Sequence, residues 1–250
     1  DHEIAISTSY LSWGWSESSQ EKVKPVGQLK SNLGVVNKNL EKKGMLMVTT
    51  TLPVKSYRMY SAVVSRQWLD YFDDNCVFVK NLPESIRGVT TVRLHSQDRE
   101  WDQVERWRER FPMLNLDKSR SSIAKKMLKS RIVVNTYNAT AVLESISMNI
   151  PTVIFWNPKH WEIRGSAKPY FEDLKRVGVF HETPESAAKF VVTIWDDVES
   201  WGASREVRDA VNRFKEEYCT VPDDILDRVK VALQDAILPS EKLNINDSVD

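Results

Sequence analysis

Short apolar runs alternate with amphipathic stretches along most of the chain. Four apolar runs that each lead into a polar loop read as buried strands: GMLMVTT, VTTVRLHS, RIVVNT and PTVIFW. Stretches with apolar residues at helical spacing separate them, among them SYRMYSAVVSRQWLDYFDD, DREWDQVERWRERFP, SSIAKKMLKS, NATAVLESISMN and TPESAAKFVVTIWDDV. Strands that are apolar throughout and alternate with helices indicate parallel βαβ units with helices on both faces. The pattern therefore predicts an α/β fold with a Rossmann-like parallel sheet flanked by helices.

The two ends of the chain lack this alternation. Residues 1–38 are rich in Ser, Gly and Lys without a sustained period, so we expect a linker or the edge of a missing amino-terminal domain. Trp13 and Trp15 in this segment need a packing partner, which such a preceding domain would supply. Residues 39–237 form the predicted Rossmann-like domain, and residues 238–250 form a polar tail that is expected to fray.

Composition and charge narrow the class of protein. Lys+Arg and Asp+Glu are equal at 35 each, which argues against a dedicated nucleic-acid binder. No apolar run reaches the length of a transmembrane helix, and no secretory signal is visible. Cys76 and Cys219 are spaced neither as metal ligands nor as a disulfide framework, which favours a reducing compartment. We expect a cytoplasmic protein.

Polar loops follow three of the predicted strands. Ligands of open parallel sheets bind outside the carboxyl ends of the strands, where helix N-termini offer N–H groups and a favourable dipole. The three loops are Thr49–Thr51, His95–Asp98 and Asn135–Thr140. They suit a phosphate or a nucleotide, although Asn, Ser and Thr are also ordinary helix caps. The candidate contacts are Thr50, Thr51, Thr136, Asn138 and Thr140.

Cations near the same edge are further candidates. Arg58 lies near the start of the helix predicted after the first loop, and its planar guanidinium could pair with a phosphate. Arg93 and His95 end the second strand, and an adjacent phosphate would set the charge state of His95 near neutral pH. The alternative is that these are solvated charges and a hydrogen-bonded structural histidine. Arg58 and His95 are the catalytic candidates.

The loop after the fourth strand adds three candidates. Trp156 could stack on a nucleobase, Asn157 follows it, and Arg164 could reach a pyrophosphate or a sugar acid. The alternative for Trp156 is simple packing of the loop. Gly-x-Gly-x-x-Gly and Gly-Lys-Ser/Thr are absent, which argues against nicotinamide-dependent oxidoreductases and P-loop NTPases. The Gly-x-Ser-x-Gly nucleophile elbow is absent as well. No His-Glu-x-x-His or Cys pair suggests a metal, so we expect neither a metal nor a cofactor.

The segment TAVLESISMNIPTVIF resembles the donor-site element of GT-B glycosyltransferases, whose pattern is similar to LEAxAxGxPVV. The glutamate of that pattern binds the ribose of the nucleotide-sugar, so the resemblance implies this role for Glu144. Many retaining members have another glutamate eight positions earlier, where this chain has Thr136. Asn149 replaces the family's glycine and suits the left-handed residue that ends a helix. The placement of His95 resembles the loop by which several GT-B enzymes hold the donor phosphate.

Longer segments, including ESIRGVTTVRLHSQD and WNPKHWEIR, look like the carboxyl-terminal half of the LIC12162-type transferases of bacterial surface-carbohydrate biosynthesis. Those proteins are considerably longer. The resemblance implies that residues 39–237 are the nucleotide-sugar-binding half of a GT-B-like glycosyltransferase and that an amino-terminal half-domain is missing. It implies a nucleotide-sugar donor and a glycan or glycolipid acceptor, in the cytoplasm or at the inner face of the cytoplasmic membrane.

Two alternatives stay open at this point. A nucleotide-sugar epimerase of the same architecture would need an acid/base pair inside the cleft. A noncatalytic α/β interaction module would use the polar loops only as helix caps. The nucleotide base, the sugar, the acceptor and the stereochemical outcome are likewise open.

Overall fold

The computed structural model describes residues 2–17, 19–29, 42–55 and 62–244, with side chains to residue 237. Its strands are β1 (Tyr10–Ser12), β2 (Val23–Pro25), β3 (Met45–Val48), β4 (Thr90–Arg93), β5 (Asn115–Asp117), β6 (Ile132–Asn135), β7 (Thr152–Phe155) and β8 (Phe180–His181). Its helices are α1 (His2–Ile6), α2 (Gln67–Lys80), α3 (Glu84–Arg87), α4 (Gln103–Arg110), α5 (Ile123–Met127), α6 (Thr140–Ser147), α7 (Lys168–Arg176), α8 (Pro184–Ile194), α9 (Val198–Ala203), α10 (Arg205–Tyr218) and α11 (Ile225–Asn244).

Strands β3 to β8 form one parallel sheet in the order β5-β4-β3-β6-β7-β8. The chain builds outward from β3 through β4 to β5, then returns to the other side of β3 with β6. The switch in direction therefore falls between β3 and β6, where open α/β sheets leave a crevice at the carboxyl ends of the strands. The predicted α/β class with a parallel sheet flanked by helices is confirmed.

Helices cover both faces of this sheet, which is why the central strands β3, β6 and β7 are buried at every position and are mostly apolar. On one face, Leu46, Val48 and Val133 pack in a cluster with residues of α5 and α6. On the other face, Phe155 of β7 stacks on Phe78 of α2 at 5.0 Å between ring centroids. Helix α2 packs against α8, and its Phe72 ring meets Trp107 of α4, so α2, α4 and α8 share this second face.

Most of the predicted helices and strands are present, and some boundaries differ. Of the helix expected from residue 56, residues 56–61 lie outside the described residues. In the described part, helix α2 begins at Gln67, because Ser65 has a φ of +46°, which a right-handed helix cannot include. Strand β5 was not expected. Thr183 accepts a hydrogen bond from Ser186 N at 3.2 Å, which confirms it as the N-cap of α8. Asn149 has a φ of +54° and confirms the left-handed end of α6.

The chain divides into two compact units, residues 1–34 with 213–250, and residues 35–212. This differs from the expected boundaries, a linker over 1–38 and one domain over 39–237. In the first unit, Gln28 N donates to Thr220 O at 2.8 Å, and Thr220 N donates to Trp13 O at 2.9 Å. The Trp15 ring lies against Tyr10 at 5.8 Å. The amino-terminal segment thus finds partners within the chain itself, because it pairs with residues after α10.

Candidate functional site

The predicted site residues gather at the carboxyl edge of the sheet, because all of its strands run in the same direction. Thr50 and Thr51 follow β3, His95 follows β4, and residues 136–140 follow β6. The loop after β7 contains the Trp156 and Asn157 positions. Arg58 lies outside the described residues, so its role stays a prediction. The crevice between β3 and β6 is the centre of this candidate site.

A buried hydrogen-bond chain connects the loops on either side of the crevice. Thr50 N donates to Tyr71 Oη at 2.9 Å, and Tyr71 Oη lies 2.6 Å from Thr136 Oγ1. Thr136 Oγ1 donates to Val48 O at 3.0 Å, so the tyrosine must donate to the threonine. Burial raises the pKa of Tyr71 to about 12 despite these hydrogen bonds, which keeps the phenol protonated at neutral pH.

Thr136 therefore has a different role from the predicted one. Its side chain is fully buried, and both of its hydrogen-bonding functions are used within the protein. This geometry leaves it no contact with a ligand. Thr136 instead joins the β3 and β6 loops through Tyr71. Sequence reasoning did not find Tyr71, because a tyrosine among the apolar residues of an amphipathic helix looks like ordinary core.

The N-terminus of α6 is open at the crevice. Its N-cap residue Ala139 has an extended backbone with φ of −157°, and no described side chain caps the helix. Asn138 and Thr140, on either side of Ala139, are exposed. The Val142 N–H donates to Ala139 O at 3.0 Å, so the N–H groups of Thr140 and Ala141 are the ones left for a ligand, at the positive end of the helix dipole. This end of α6 can accept an anion.

The N-terminus of α4, by contrast, is already occupied. The Asp98 carboxylate accepts hydrogen bonds from the backbone N–H groups of Trp101 at 2.8 Å, Asp102 at 2.8 Å and Gln103 at 2.7 Å. Burial acts to raise the pKa of Asp98, but these hydrogen bonds outweigh it and lower the pKa. The chain's own carboxylate thus takes the position that we expected a phosphate to occupy in the loop His95–Asp98.

Arg93 also points away from the crevice. Its guanidinium donates to Asp117 Oδ2 at 2.6 Å, Ser119 Oγ at 2.8 Å and Ser121 O at 2.9 Å, and the residue is buried. The predicted contact with a nucleotide-sugar has no support in this arrangement, because the guanidinium is buried and is held by residues 117–121. Arg93 instead fixes the loop 118–122 that follows β5.

His95 and Thr51 lie beside the open part of the site. His95 is half-buried, and its Nδ1 lies 3.1 Å from Gln97 O and 3.2 Å from Gln97 N, so these contacts are compatible with either tautomer of the ring. Nε2 meets no partner in the described part of the chain, and it can donate to an anion in the tautomer whose Nδ1 accepts from Gln97 N. Thr51 is buried, and its hydroxyl lies 3.4 Å from Asp98 O, so it stabilises the neighbouring loop.

The loop after β7 contributes packing more than an open surface. Trp156 is 1% exposed, and its ring contacts Phe171 at 5.5 Å and Phe180 at 4.8 Å. A ring enclosed in this way cannot stack on a nucleobase, so the structure assigns it to the core. Asn157 Oδ1 accepts from Lys159 N at 3.0 Å and forms a local turn. Arg164 precedes α7 and is exposed.

Glu144 lies one turn after the N-terminus of α6 and is half-buried. Four residues of helix rise by about 6 Å, so its side chain can reach a ligand that is bound at the first N–H groups. The described residues contain no cluster of three His, Cys, Asp or Glu side chains suited to a metal ion. Within the same residues, no helix has the length and apolar character needed to cross a bilayer.

A parallel sheet whose strand order switches direction between β3 and β6 defines this chain as a Rossmann-like α/β protein. Its sequence narrows the class further. The LIC12162 family transferase profile matches residues 1–233, and the chain belongs to this family. The comparison with curated proteins produced no match.

Several solved structures are similar to the chain. A variant of the wall teichoic acid polymerase TagF soaked with CDPG has 14% identity, covering 97% of this chain and 59% of that chain, with a TM-score of 0.49. TagF itself has 13% identity over 98% and 60%, with a TM-score of 0.43. A proposed UDP-N-acetylglucosamine 2-epimerase from Listeria monocytogenes has 14% identity over 80% and 52%, with a TM-score of 0.45. Structural similarity at these TM-scores does not show what activity this chain has. The chain spans about three fifths of the TagF chains.

Proposed function

We propose that this chain is the nucleotide-sugar-binding part of a GT-B-type glycosyltransferase in surface polysaccharide or glycolipid biosynthesis. The observation that carries the proposal is the open N-terminus of α6 at the switch point of the sheet, with Glu144 one turn further along. Membership in a transferase family supports it. The glycan or glycolipid acceptor, and an amino-terminal half-domain that binds it, are part of the proposal.

The chemistry follows from the geometry of the crevice. The diphosphate of the nucleotide-sugar binds to the first N–H groups of α6, between the exposed Asn138 and Thr140. The Glu144 carboxylate accepts hydrogen bonds from the ribose hydroxyls. His95, with its proton on Nε2, donates to a phosphate oxygen as negative charge develops on the departing nucleotide. Catalysis then consists mainly of positioning and electrostatic stabilisation of that charge.

Calorimetric titration with CMP, UDP, GDP and ADP tests the proposal. We expect saturable binding of one nucleotide, and at least a tenfold loss of affinity in Glu144→Ala, or about 1.4 kcal/mol. Glu172→Ala removes an exposed glutamate from α7 and serves as the matched control, with affinity unchanged. A folded protein that binds none of the four nucleotides contradicts the proposal.

Turnover assays distinguish a glycosyltransferase from a nucleotide-sugar epimerase. A glycosyltransferase consumes its nucleotide-sugar rapidly only in the presence of an acceptor. Conversion of the sugar in the absence of any acceptor would point to an epimerase instead. The assay needs the chain together with a longer form that carries the proposed amino-terminal half, because the catalytic base or nucleophile of the proposed enzyme lies there.

A further inference from the structure

Segment 118–131 concentrates positive charge in a chain that is neutral as a whole. It contains six cations and no acid: Lys118, Arg120, Lys125, Lys126, Lys129 and Arg131. Two of the six are engaged within the protein. Lys126 Nζ lies 2.7 Å from Asp117 Oδ2, and Arg131 donates to Asp196 O at 3.0 Å. The other four are exposed, and we call them the α5 basic face: Lys118, Arg120, Lys125 and Lys129.

The loop 118–122 contains two of these charges, Lys118 and Arg120, and hydrogen bonds to Arg93 and Asp117 hold it in place. Ser119 N donates to Asp117 Oδ1 at 3.0 Å, and Arg93 donates to Ser119 Oγ and Ser121 O. The ion pair between Arg93 and Asp117 is buried, with both side chains 10% exposed. The loop is already ordered in the free protein. A partner that binds Lys118 and Arg120 therefore does not lose binding free energy to ordering the loop.

The α5 basic face is extended. Lys118 and Arg120 lie at the carboxyl edge of the sheet, and Lys129 lies near the opposite edge, where its carbonyl accepts from Lys43 N at 2.9 Å. Strands rise by about 3.3 Å per residue, so the face spans on the order of 15 Å. A single phosphate meets one or two of these charges at most, whereas an extended anionic surface can meet several of them at once.

The chemistry of the segment also limits the kind of partner. It contains no aromatic residue on which a base could stack, which disfavours single-stranded nucleic acid. Ile123 and Leu128 are the large apolar side chains at the two ends of α5, and both pack against the core cluster. The face therefore offers charge without an apolar anchor for insertion.

We propose that the α5 basic face docks this protein on the surface of an anionic lipid bilayer. Attachment is electrostatic and reversible, because Lys and Arg near an anionic surface are attracted within about one Debye length. One end of the face lies at the carboxyl edge of the sheet, the same edge as the nucleotide crevice. Docking does not depend on nucleotide binding, so this proposal and the proposed function fail independently.

Vesicle co-sedimentation of the full chain tests the proposal. The vesicles contain phosphatidylcholine alone or with about 40 mol % phosphatidylglycerol, at about 0.05 M and about 0.5 M salt. We expect binding only to the anionic vesicles, and its loss at the higher salt concentration. The variant Lys118→Ser, Arg120→Ser, Lys125→Ser should bind on the order of 100-fold more weakly, at about fivefold for each cation.

The matched control removes the same charge from the other face of the sheet. Lys80→Ser, Arg108→Ser and Lys189→Ser change exposed cations of α2, α4 and α8, and binding should stay within about twofold of the unmodified chain. An equal loss in both triple variants overturns the proposal, because net charge alone would explain it. Absence of binding to anionic vesicles also overturns it. Binding of soluble polyphosphate without binding to vesicles overturns the bilayer in favour of a linear polyanion.

Discussion

Tyr71 is the residue on which the geometry of the crevice depends most. Its hydroxyl accepts from the backbone of the β3 loop and donates to Thr136 in the β6 loop, while its ring meets Trp161 edge-on at 5.4 Å. One side chain of α2 therefore touches three of the loops at the carboxyl edge. The phenol is fully enclosed and keeps its proton, so it acts as a fixed spacer with one donor and one acceptor.

Tyr71→Phe should lower the free energy of unfolding by about 1–3 kcal/mol, because the Thr50 N–H and the Thr136 hydroxyl lose a buried partner. We expect nucleotide affinity to fall by about fivefold, since the two loops are no longer held at a fixed spacing. Urea unfolding and calorimetry measure the two effects. Tyr10→Phe is the control, because no described residue bonds to its hydroxyl. Equal effects of both changes would contradict the assigned role.

Asp74 on α2 is expected to make stability depend on pH. Burial, and then the negative charges of Glu185, Asp70 and Asp73, raise its pKa to about 6. The folded protein thus holds this proton more tightly than the unfolded chain, and stability falls as pH rises from about 4 to about 6. Asp74→Asn should raise the free energy of unfolding at pH 7 by on the order of 1–3 kcal/mol.

Chemical denaturation at several pH values measures this effect. The gain from Asp74→Asn should vanish below about pH 4, where both states carry the protonated carboxyl. Asp70→Asn changes an exposed carboxyl of the same helix and should give a smaller gain. A gain in the Asp74 variant that is the same at pH 4 and pH 7 would show that its charge is not the cause.

At the scale of single elements, the loop 118–122 shows how an ion pair shapes a surface. Asp117 ends β5 and binds Arg93 of β4, Lys126 of α5 and the backbone of Ser119. Burial acts to raise the pKa of Asp117, but the hydrogen bonds from Lys126, Ser119 and Arg93 outweigh it and hold the pKa well below its ordinary value. The strand, the loop and the helix are thereby fastened together.

Asp117→Asn should lower the free energy of unfolding by about 3 kcal/mol at pH 7, because it leaves a buried guanidinium without its counter-charge. The folded-state pKa is depressed, so this stability is present above about pH 4 and is lost as pH falls further. Asp73→Asn breaks an ion pair of the same 2.6 Å length to Arg110, but that pair is exposed. This control should cost at most about 1 kcal/mol in urea unfolding, and an equal cost would refute the burial argument.

The central strands could be predicted and the edge strand could not. Strands β3, β6 and β7 are buried at every position, and their apolar runs can be recognised in the sequence. Strand β5 pairs with only one neighbour, and its Asn115 is exposed, so its three residues show no apolar run. The N-cap Thr183 and the left-handed residue Asn149 could be predicted for another reason. Capping and left-handed turns depend on residues a few positions away.

At the scale of the whole molecule, the balance of charge sets how copies of the chain interact. The chain carries 35 cations and 35 anions, and its isoelectric point is about 7.1. The α5 basic face means that this neutrality is an average over an uneven surface. Attraction between unlike patches is then not opposed by a net charge.

Static light scattering should show the strongest attraction between molecules near pH 7, with repulsion growing towards about pH 9 as net negative charge accumulates. Removing three cations of the α5 basic face should move the minimum to lower pH, because the isoelectric point falls. The control triple variant should move it equally, since this effect depends on net charge alone. Stronger repulsion at pH 7 than at pH 9 would contradict the expectation.

The sequence by itself determined the class of fold, the polar loops at the ends of the strands and the identity of the helix that begins at the crevice. These features follow from periodicity and from capping, which act within a few residues. The tertiary structure alone decided which polar side chains face the crevice. Tyr71 and Thr136 are 65 positions apart, and Arg93 and Asp117 are 24 apart. Strand order brings these partners together, and no local pattern encodes it.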